Sequence, residues 1–278
     1  MHQARKRFGQ HFLRDPGVIG RIVAAIAPQP QDRMVEIGPG LGAITVPLLA
    51  RLRELHAVEI DRDAIRHLRD LTGNDPRLHI HSADVLRFSL ADIHFDARPA
   101  GERLRLVGNL PYNISTPLLF HLIEQRQLIL DMHFMLQKEV VDRMAAAPGS
   151  EHYGRLTVML APWLRVEPLF DVGPGAFRPP PKVISTVVRL TPHATPLPID
   201  EPRHYAAVVA AAFSQRRKTL RNSLRPLLEA EDIVATGIDP SLRAEVLAPS
   251  QFAALGARLT ARLQQRDGAV AENPGNPA

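Results

Sequence analysis

The sequence predicts an α/β protein: a mostly parallel, doubly wound sheet with an antiparallel carboxyl-terminal edge, followed by a small all-helical domain. Three observations carry this prediction. Short apolar, strand-like runs alternate with amphipathic helical patterns from Asp15 to Gln137. A glycine-rich turn, Gly38-Pro39-Gly40-Leu41-Gly42, joins one such strand to a helix. From Tyr205 to Gln265 the apolar spacing is helical alone, and a segment with four prolines, Thr191 to Pro202, separates it from what precedes.

The elements follow in order. Residues 1–14 form a polar, basic arm ending in Phe8-Gly9-Gln10-His11-Phe12-Leu13, which reads either as a loop closing over a ligand or as a tether to the core. Asp15-Pro16 is an N-cap followed by proline at the first helical position, and Val18, Ile19, Ile22, Val23 and Ile26 continue at helical spacing up to Pro28. Met34 to Ile37, Leu55 to Ile60, Leu78 to His81, Leu104 to Val107 and Leu128 to Gln137 are predicted strands. Ile44 to Leu52, Ala64 to Leu71 and Pro117 to Gln125 are the intervening helices. Lys138 to Ala147 and Arg155 to Trp163 are also helical in pattern. Val166 to Val172 and Val183 to Leu190 are predicted to finish the sheet as an antiparallel pair, and Phe177 to Lys182 between them is too proline-rich for a helix or an inner strand. The predicted domains are the arm, a sheet domain over 15–192, a linker over 193–204, a helical domain over 205–265 and a disordered polar tail over 266–278.

A chain of 278 residues with 45% hydrophobic and 23% charged residues buries a full core. No run approaches the roughly 18 apolar residues of a membrane span, and no signal-like apolar segment follows the basic amino terminus. The absence of cysteine excludes disulfides and thiolate metal sites and agrees with a cytoplasmic location. The net charge of +5 and a pI near 10.0 favour a polyanionic partner. The charge is clustered, at Arg5-Lys6-Arg7 and at Arg216-Arg217-Lys218 with Arg221, which raises nucleic acid above a merely solvated face.

Four strand ends carry ligand-type groups. Gly38 and Gly40 let backbone approach a ligand at a helix amino terminus. The form is G-x-G-x-G, distinct from the dinucleotide G-x-G-x-x-G. Glu59 ends the next strand, where an acid can accept ribose hydroxyls. Asp84 follows the third strand and can accept from an adenine amino group. Asn109-Leu110-Pro111-Tyr112 ends the fourth, with an amide that accepts from an amino group and a ring that stacks on a flat base. Taken singly, each has an ordinary explanation as a turn, a cap or a surface carboxylate. Together they describe a nucleoside site along the carboxyl edge of a sheet.

With the tetrapeptide, this set resembles the S-adenosylmethionine-dependent, Rossmann-like methyltransferases that modify an amino nitrogen. The ordered motifs Phe8 to Leu13, Val35 to Gly42, Val58 to Asp61, Ala83-Asp84, Asn109 to Ser115, Phe177-Arg178-Pro179 and Phe213 to Leu224 narrow it further. Over residues 5 to about 265 the chain resembles the ribosomal RNA adenine dimethyltransferase family, and within it the small-subunit type associated with kasugamycin sensitivity. The resemblance implies the following roles. Gly38 lies under the methionine part of the cofactor, Glu59 holds its ribose and Asp84 its adenine. His11 and Leu13 close over it, and Asn109 adjoins it. His11 departs from the asparagine the family often has there, although an imidazole can still donate or accept one hydrogen bond.

The implied chemistry follows from the target. An adenine amino nitrogen is a poor nucleophile because its lone pair is delocalised into the ring. The Asn109 side-chain oxygen and the Leu110 carbonyl accept its two hydrogens and favour a pyramidal nitrogen. Pro111 holds Leu110 extended. Tyr112 stacks on the extruded base and Phe177 covers its other face. No metal is required. RNA phosphates are expected to meet Arg5, Lys6, Arg7, Lys138, Arg216, Arg217, Lys218 and Arg221. The expected product is two adjacent N6,N6-dimethyladenosines near the 3′ end of 16S rRNA, made late in small-subunit assembly by a monomeric enzyme. The alternatives are the large-subunit enzyme of the macrolide-resistance type, a non-catalytic RNA-binding or transcription-assisting relative, and a nicotinamide oxidoreductase. The G-x-G-x-G form argues against the last.

Overall fold

In the computed structural model, residues 11–95, 103–215 and 217–271 are described. A two-residue strand, β1 (Phe12–Leu13), precedes α1 (Pro16–Ile26). Asp15 caps that helix as its sequence predicts: its Oδ1 accepts the Val18 N–H at 2.9 Å, and Pro16 occupies the first turn. The alternation then runs β2 (Met34–Ile37), α2 (Thr45–Leu49), β3 (Leu55–Glu59), α3 (Arg62–Thr72), β4 (Leu78–Ser82), β5 (Leu104–Asn109), α4 (Ser115–Glu124) and β6 (Ile129–Gln137). After α5 (Lys138–Ala145) and α6 (Arg155–Leu160) come β7 (Leu164–Val172), β8 (Phe177–Arg178) and β9 (Ser185–Pro192).

The central sheet has the order β4-β3-β2-β5-β6-β9-β7. The pairs β2–β3, β3–β4, β2–β5 and β5–β6 are parallel, and β9 is antiparallel to β6. The inner strands β2 and β3 are buried along their whole length, as expected for parallel strands covered on both faces. The chain moves outward in one direction from β2 through β4, then restarts on the other side of β2 with β5. That reversal places a topological switch point between β2 and β5, where an open α/β sheet leaves a crevice at its carboxyl edge. Packing there is close: a Cβ on Gly108 would lie 2.4 Å from the Ile37 carbonyl oxygen. Outside this sheet, β1 and β8 pair antiparallel, Phe12 with Arg178 and Leu13 with Phe177.

The chain divides into two compact units. The first runs to Val141 and takes up Arg165–Pro192. The second comprises Asp142–Leu164 and the chain from His193 onward. The second unit contains α7 (Pro202–Ala212), α8 (Leu220–Ser223), α9 (Ala230–Val234) and α10 (Pro249–Ala271). Its core gathers Tyr205, Val208, Leu220, Leu224, Phe252 and Leu255.

This division corrects the expected boundary at residue 192, because Tyr153 and Val158 belong to the helical core. The Tyr153 hydroxyl donates to the Leu247 carbonyl at 2.6 Å, and the Tyr205 hydroxyl to that of Val158 at 2.7 Å. Helical periodicity identified α6, but only these long-range contacts show which core it joins. The expected disordered tail also begins too early, since α10 continues to Ala271. Pro274 lies beyond that helix end, so 266–271 hold no proline to stop the helix. Residues 272–278 lie outside the described residues, as does the basic arm over 1–10.

Candidate active site

A cavity of about 250 Å³ opens along the carboxyl ends of β2, β3, β4 and β5. Its lining includes His11, Leu13, Gly38, Glu59, Asp84, Asn109, Leu110, Pro111 and Tyr112. Residues separated by up to about a hundred positions in sequence thus converge where the switch point requires a crevice.

The glycine turn is built by backbone conformation. Gly38, Gly40 and Gly42 have φ of 66°, 53° and 82°, a region that side chains disfavour. The Gly38 N–H donates to the Val58 carbonyl at 2.9 Å, tying the turn to the end of β3. A Cβ on Gly40 would approach the Phe12 ring at 3.4 Å.

Glu59 is anchored from three sides. Its Oε1 accepts the Ile60 and Asp61 N–H groups, both at 2.9 Å, and its Oε2 accepts that of Gly40 at 3.2 Å. A carboxylate offers about four acceptor sites, so Oε2 keeps capacity for a ligand hydroxyl. Burial raises the Glu59 pKa against these hydrogen bonds. Asp61 caps α3 by accepting the Asp63 N–H at 3.0 Å. Asp84 accepts the Leu86 N–H on Oδ1 at 3.0 Å and sits in the cavity wall.

At the end of β5 the Asn109 amide nitrogen donates to the His11 carbonyl at 3.1 Å. That bond assigns the donor end of the amide and leaves its oxygen as the acceptor. Leu110 is 1% exposed, and its N–H donates to the Met135 carbonyl at 3.2 Å. The Pro111 carbonyl accepts from the Ser115 hydroxyl at 3.1 Å and the Ile114 N–H at 3.2 Å. The tetrapeptide is thus held at both ends. The Tyr112 hydroxyl shares a 2.7 Å hydrogen bond with Ser185 on β9, and burial raises its pKa.

The His11 ring packs near-parallel on Tyr112, with centroids 5.7 Å apart and planes at 30°. His11 Nδ1 lies 2.9 Å from the Pro179 carbonyl. A carbonyl only accepts, so Nδ1 carries the hydrogen.

Phe177 corrects an expectation. It is 2% exposed, packs in the core with Leu13 and Val172, and lies outside the cavity lining. Its pairing with Leu13 across β1 and β8 turns it inward, so it does not cover a base in this conformation. The ring beside Tyr112 is that of His11.

Glu36, which the sequence reading passed over, lines the same cavity and is 2% exposed. Its Oε2 accepts the Thr45 hydroxyl at 2.6 Å. Burial, with a contribution from the Glu59 charge, pushes its pKa up to about 7. The available signal was an acid inside an otherwise apolar strand two residues before a glycine turn.

The RNA candidates scatter. Arg5, Lys6, Arg7 and Arg216 lie outside the described residues. Arg217, Lys218 and Arg221 are exposed in the helical unit. Lys138 pairs with Asp171 at 3.5 Å with both side chains about half exposed. Among the described residues no helix is long and apolar enough to cross a membrane.

Comparison with known proteins gives a consistent result. The family model described as "Ribosomal RNA adenine dimethylase" matches residues 1–260. A protein of Methylococcus capsulatus named "Ribosomal RNA small subunit methyltransferase A" is 55% identical over 258 residues, 93% of this chain and 98% of its own. One of the same name from Thiobacillus denitrificans is 56% identical over 94% of this chain and all of its own. Among solved structures, a dimethyladenosine transferase from Plasmodium falciparum superposes with a TM-score of 0.75 at 25% identity, covering 92% of this chain and 98% of that one. The 23S rRNA methyltransferase ErmE gives 0.67 at 27% identity, covering 90% and 99%.

Proposed function

The chain belongs to the ribosomal RNA adenine dimethylase family, and from that premise we propose that it transfers methyl groups from S-adenosylmethionine to the N6 amino groups of two adjacent adenosines near the 3′ end of 16S rRNA in the small ribosomal subunit. The observation that carries this reading is the orientation of Asn109, whose amide nitrogen is engaged by His11 and whose oxygen is left to accept from an amino group. The names of the relatives at 55% and 56% identity support the small subunit over the large.

The cavity suits the cofactor. Its glycine turn has φ values that leave no side chain over the backbone, and carboxylates stand at the ends of β3 and β4. Gly38 and Gly40 would lie under the methionine portion, Glu59 would take a ribose hydroxyl on Oε2, and Asp84 would take the adenine amino group. His11 and Leu13 would close the near side. When bound, the cofactor supplies an electrophilic methyl on a positively charged sulfur.

The protein supplies alignment. Asn109 Oδ1 and the Leu110 carbonyl accept the two amino hydrogens of the target adenine, drawing its lone pair out of conjugation. Pro111 restricts the backbone that presents the Leu110 carbonyl. Tyr112, fixed through Ser185 and flanked by His11, offers a stacking surface for the extruded base. Orientation of this kind supplies several orders of magnitude in rate without a general base. Arg217, Lys218 and Arg221 are the exposed candidates for phosphate contact.

The test offers precursor small and large subunits separately with isotopically labelled cofactor, then maps the modified nucleotides by mass. Label in two adjacent dimethyladenosines of 16S rRNA is expected. Label confined to large-subunit RNA would overturn the assignment.

A further inference from the structure

Glu54 immediately precedes β3, His56 lies on it, and His79 and His81 lie on β4. The parallel register pairs His56 with His79 and Val58 with His81. Side chains two residues apart on a strand share a face, so these four groups gather on one face at the β4 edge of the sheet. His56 Nε2 lies 3.0 Å from Glu54 Oε1, and His79 Nε2 lies 3.3 Å from the same oxygen. One ligand atom from each of the three residues lies within 4.8 Å of the other two. None of the three lines the cavity described above.

We propose that Glu54, His56 and His79 bind a divalent transition-metal ion, zinc in the first instance, at a site separate from methyl transfer. Two imidazole nitrogens and a carboxylate oxygen form a donor set that zinc accepts, with water in the fourth position. A tetrahedral zinc with bonds of about 2.0–2.1 Å holds its ligand atoms roughly 3.3 Å apart, close to the spacings from Glu54 to the two histidines.

The imidazoles are already aligned. The His56 and His79 rings stack with centroids 4.7 Å apart and planes at 22°, which turns both Nε2 edges toward Glu54. His56 Nδ1 is 2.9 Å from His81 Nε2, the kind of outer hydrogen bond that orients a ligating histidine. The Phe95 ring packs against His56 with centroids 4.2 Å apart. Glu54 and His56 are buried, whereas the His79 side chain is 40% exposed and opens the approach for an ion and its water.

Without metal, the His56 Nε2–H donates to the Glu54 carboxylate, and His79 Nε2 stands beside the same oxygen. On binding, each neutral imidazole moves its one hydrogen from Nε2 to Nδ1 by exchange with solvent, which frees the Nε2 lone pair for the ion with no net proton loss from the rings, and the His56 Nδ1–H then donates to His81 Nε2. Because the ligands come from both strands, the ion ties the edge strand β4 to β3.

The test titrates the untagged full-length chain with zinc chloride against a chromophoric chelator and follows thermal unfolding with and without zinc. The expected result is one zinc per chain, affinity at least ~10-fold weaker in His79→Ala, and a rise in Tm with zinc in the wild type that His79→Ala lacks. The chain has 12 histidines, so equal zinc binding by wild type and His79→Ala places the ion elsewhere and overturns the proposal. Failure to saturate at roughly 100 μM zinc overturns it too. Glu54→Gln is the second variant. Because Glu54 is buried, His79→Ala decides alone if that protein does not fold. Unchanged S-adenosylmethionine binding by His79→Ala, measured by calorimetry, verifies its fold.

Discussion

The Asn109 side-chain nitrogen donates to the backbone carbonyl of His11 across 3.1 Å, linking the end of β5 to the segment that enters β1. One bond therefore sets the amide's orientation and holds the His11 segment beside the cavity. Asn109→Ala removes both the acceptor and this link. Methyl transfer is expected to fall by at least ~100-fold, the scale of losing one oriented hydrogen bond at a reacting centre, while RNA binding by filter retention stays within a few-fold. Unchanged transfer would remove Asn109 from the mechanism.

Tyr112 separates stacking from hydrogen bonding. Tyr112→Phe keeps the ring and loses the bond to Ser185, so transfer should persist within about 10-fold, the worth of one neutral hydrogen bond. Tyr112→Ala loses a base-stacking surface worth ~1–3 kcal/mol and should fall further in single-turnover assays. Equal losses in the two variants would show that the hydroxyl, not the ring, matters.

Glu59 holds three backbone N–H groups and is positioned to take a cofactor hydroxyl. Glu59→Gln replaces one acceptor oxygen by a donor and removes the charge. A charge-assisted hydrogen bond is worth about 1.5–3 kcal/mol, so the calorimetric Kd for S-adenosylmethionine should rise roughly 10- to 100-fold. An unaltered Kd would place the ribose elsewhere.

Glu36 makes stability depend on pH in a definite direction. Its pKa is raised from an ordinary 4.5 to about 7 in the fold, chiefly by burial. Between those values the folded chain binds more protons than the unfolded one, so this group lowers stability as pH rises from about 4.5 to 7 and has its full unfavourable effect above. Glu36→Gln keeps an acceptor for Thr45 without the charge. Its Tm should exceed the wild-type value at pH 8, by an amount on the order of 1–3 kcal/mol of stability, with the gap closing toward pH 4.5. A gap independent of pH would show that Glu36 does not titrate in this range.

Gly108 and Gly20 make a matched pair. A Cβ at Gly108 would meet the Ile37 carbonyl at 2.4 Å, whereas one at Gly20 meets nothing within 4 Å. Gly108→Ala should lose ~1–3 kcal/mol by overpacking backbone against backbone, seen as a lower Tm. Gly20→Ala, inside α1, should gain up to ~1 kcal/mol from helix propensity. Denaturant titration distinguishes the two, and equal stability would show that the β2–β5 contact can relax.

The sequence by itself determined the strand ends, the cap at Asp15, the glycine turn and the identities of Glu59, Asp84 and Asn109 as groups at one sheet edge. These are local matters. A period of two or 3.6, a proline at a first turn or a glycine at positive φ acts over a few residues, and the parallel topology then delivers successive strand ends to one side. Tertiary structure alone decided the contacts between distant positions. It buried Phe177 against Leu13 and put the His11 ring beside Tyr112 instead. It drew Tyr153 and Val158 into the helical core. It set Glu36 in the cavity wall, and the β3–β4 register brought His56 opposite His79 beside Glu54. Side-chain period says which face a residue occupies on its own element, but the partner on that face depends on strand order and register.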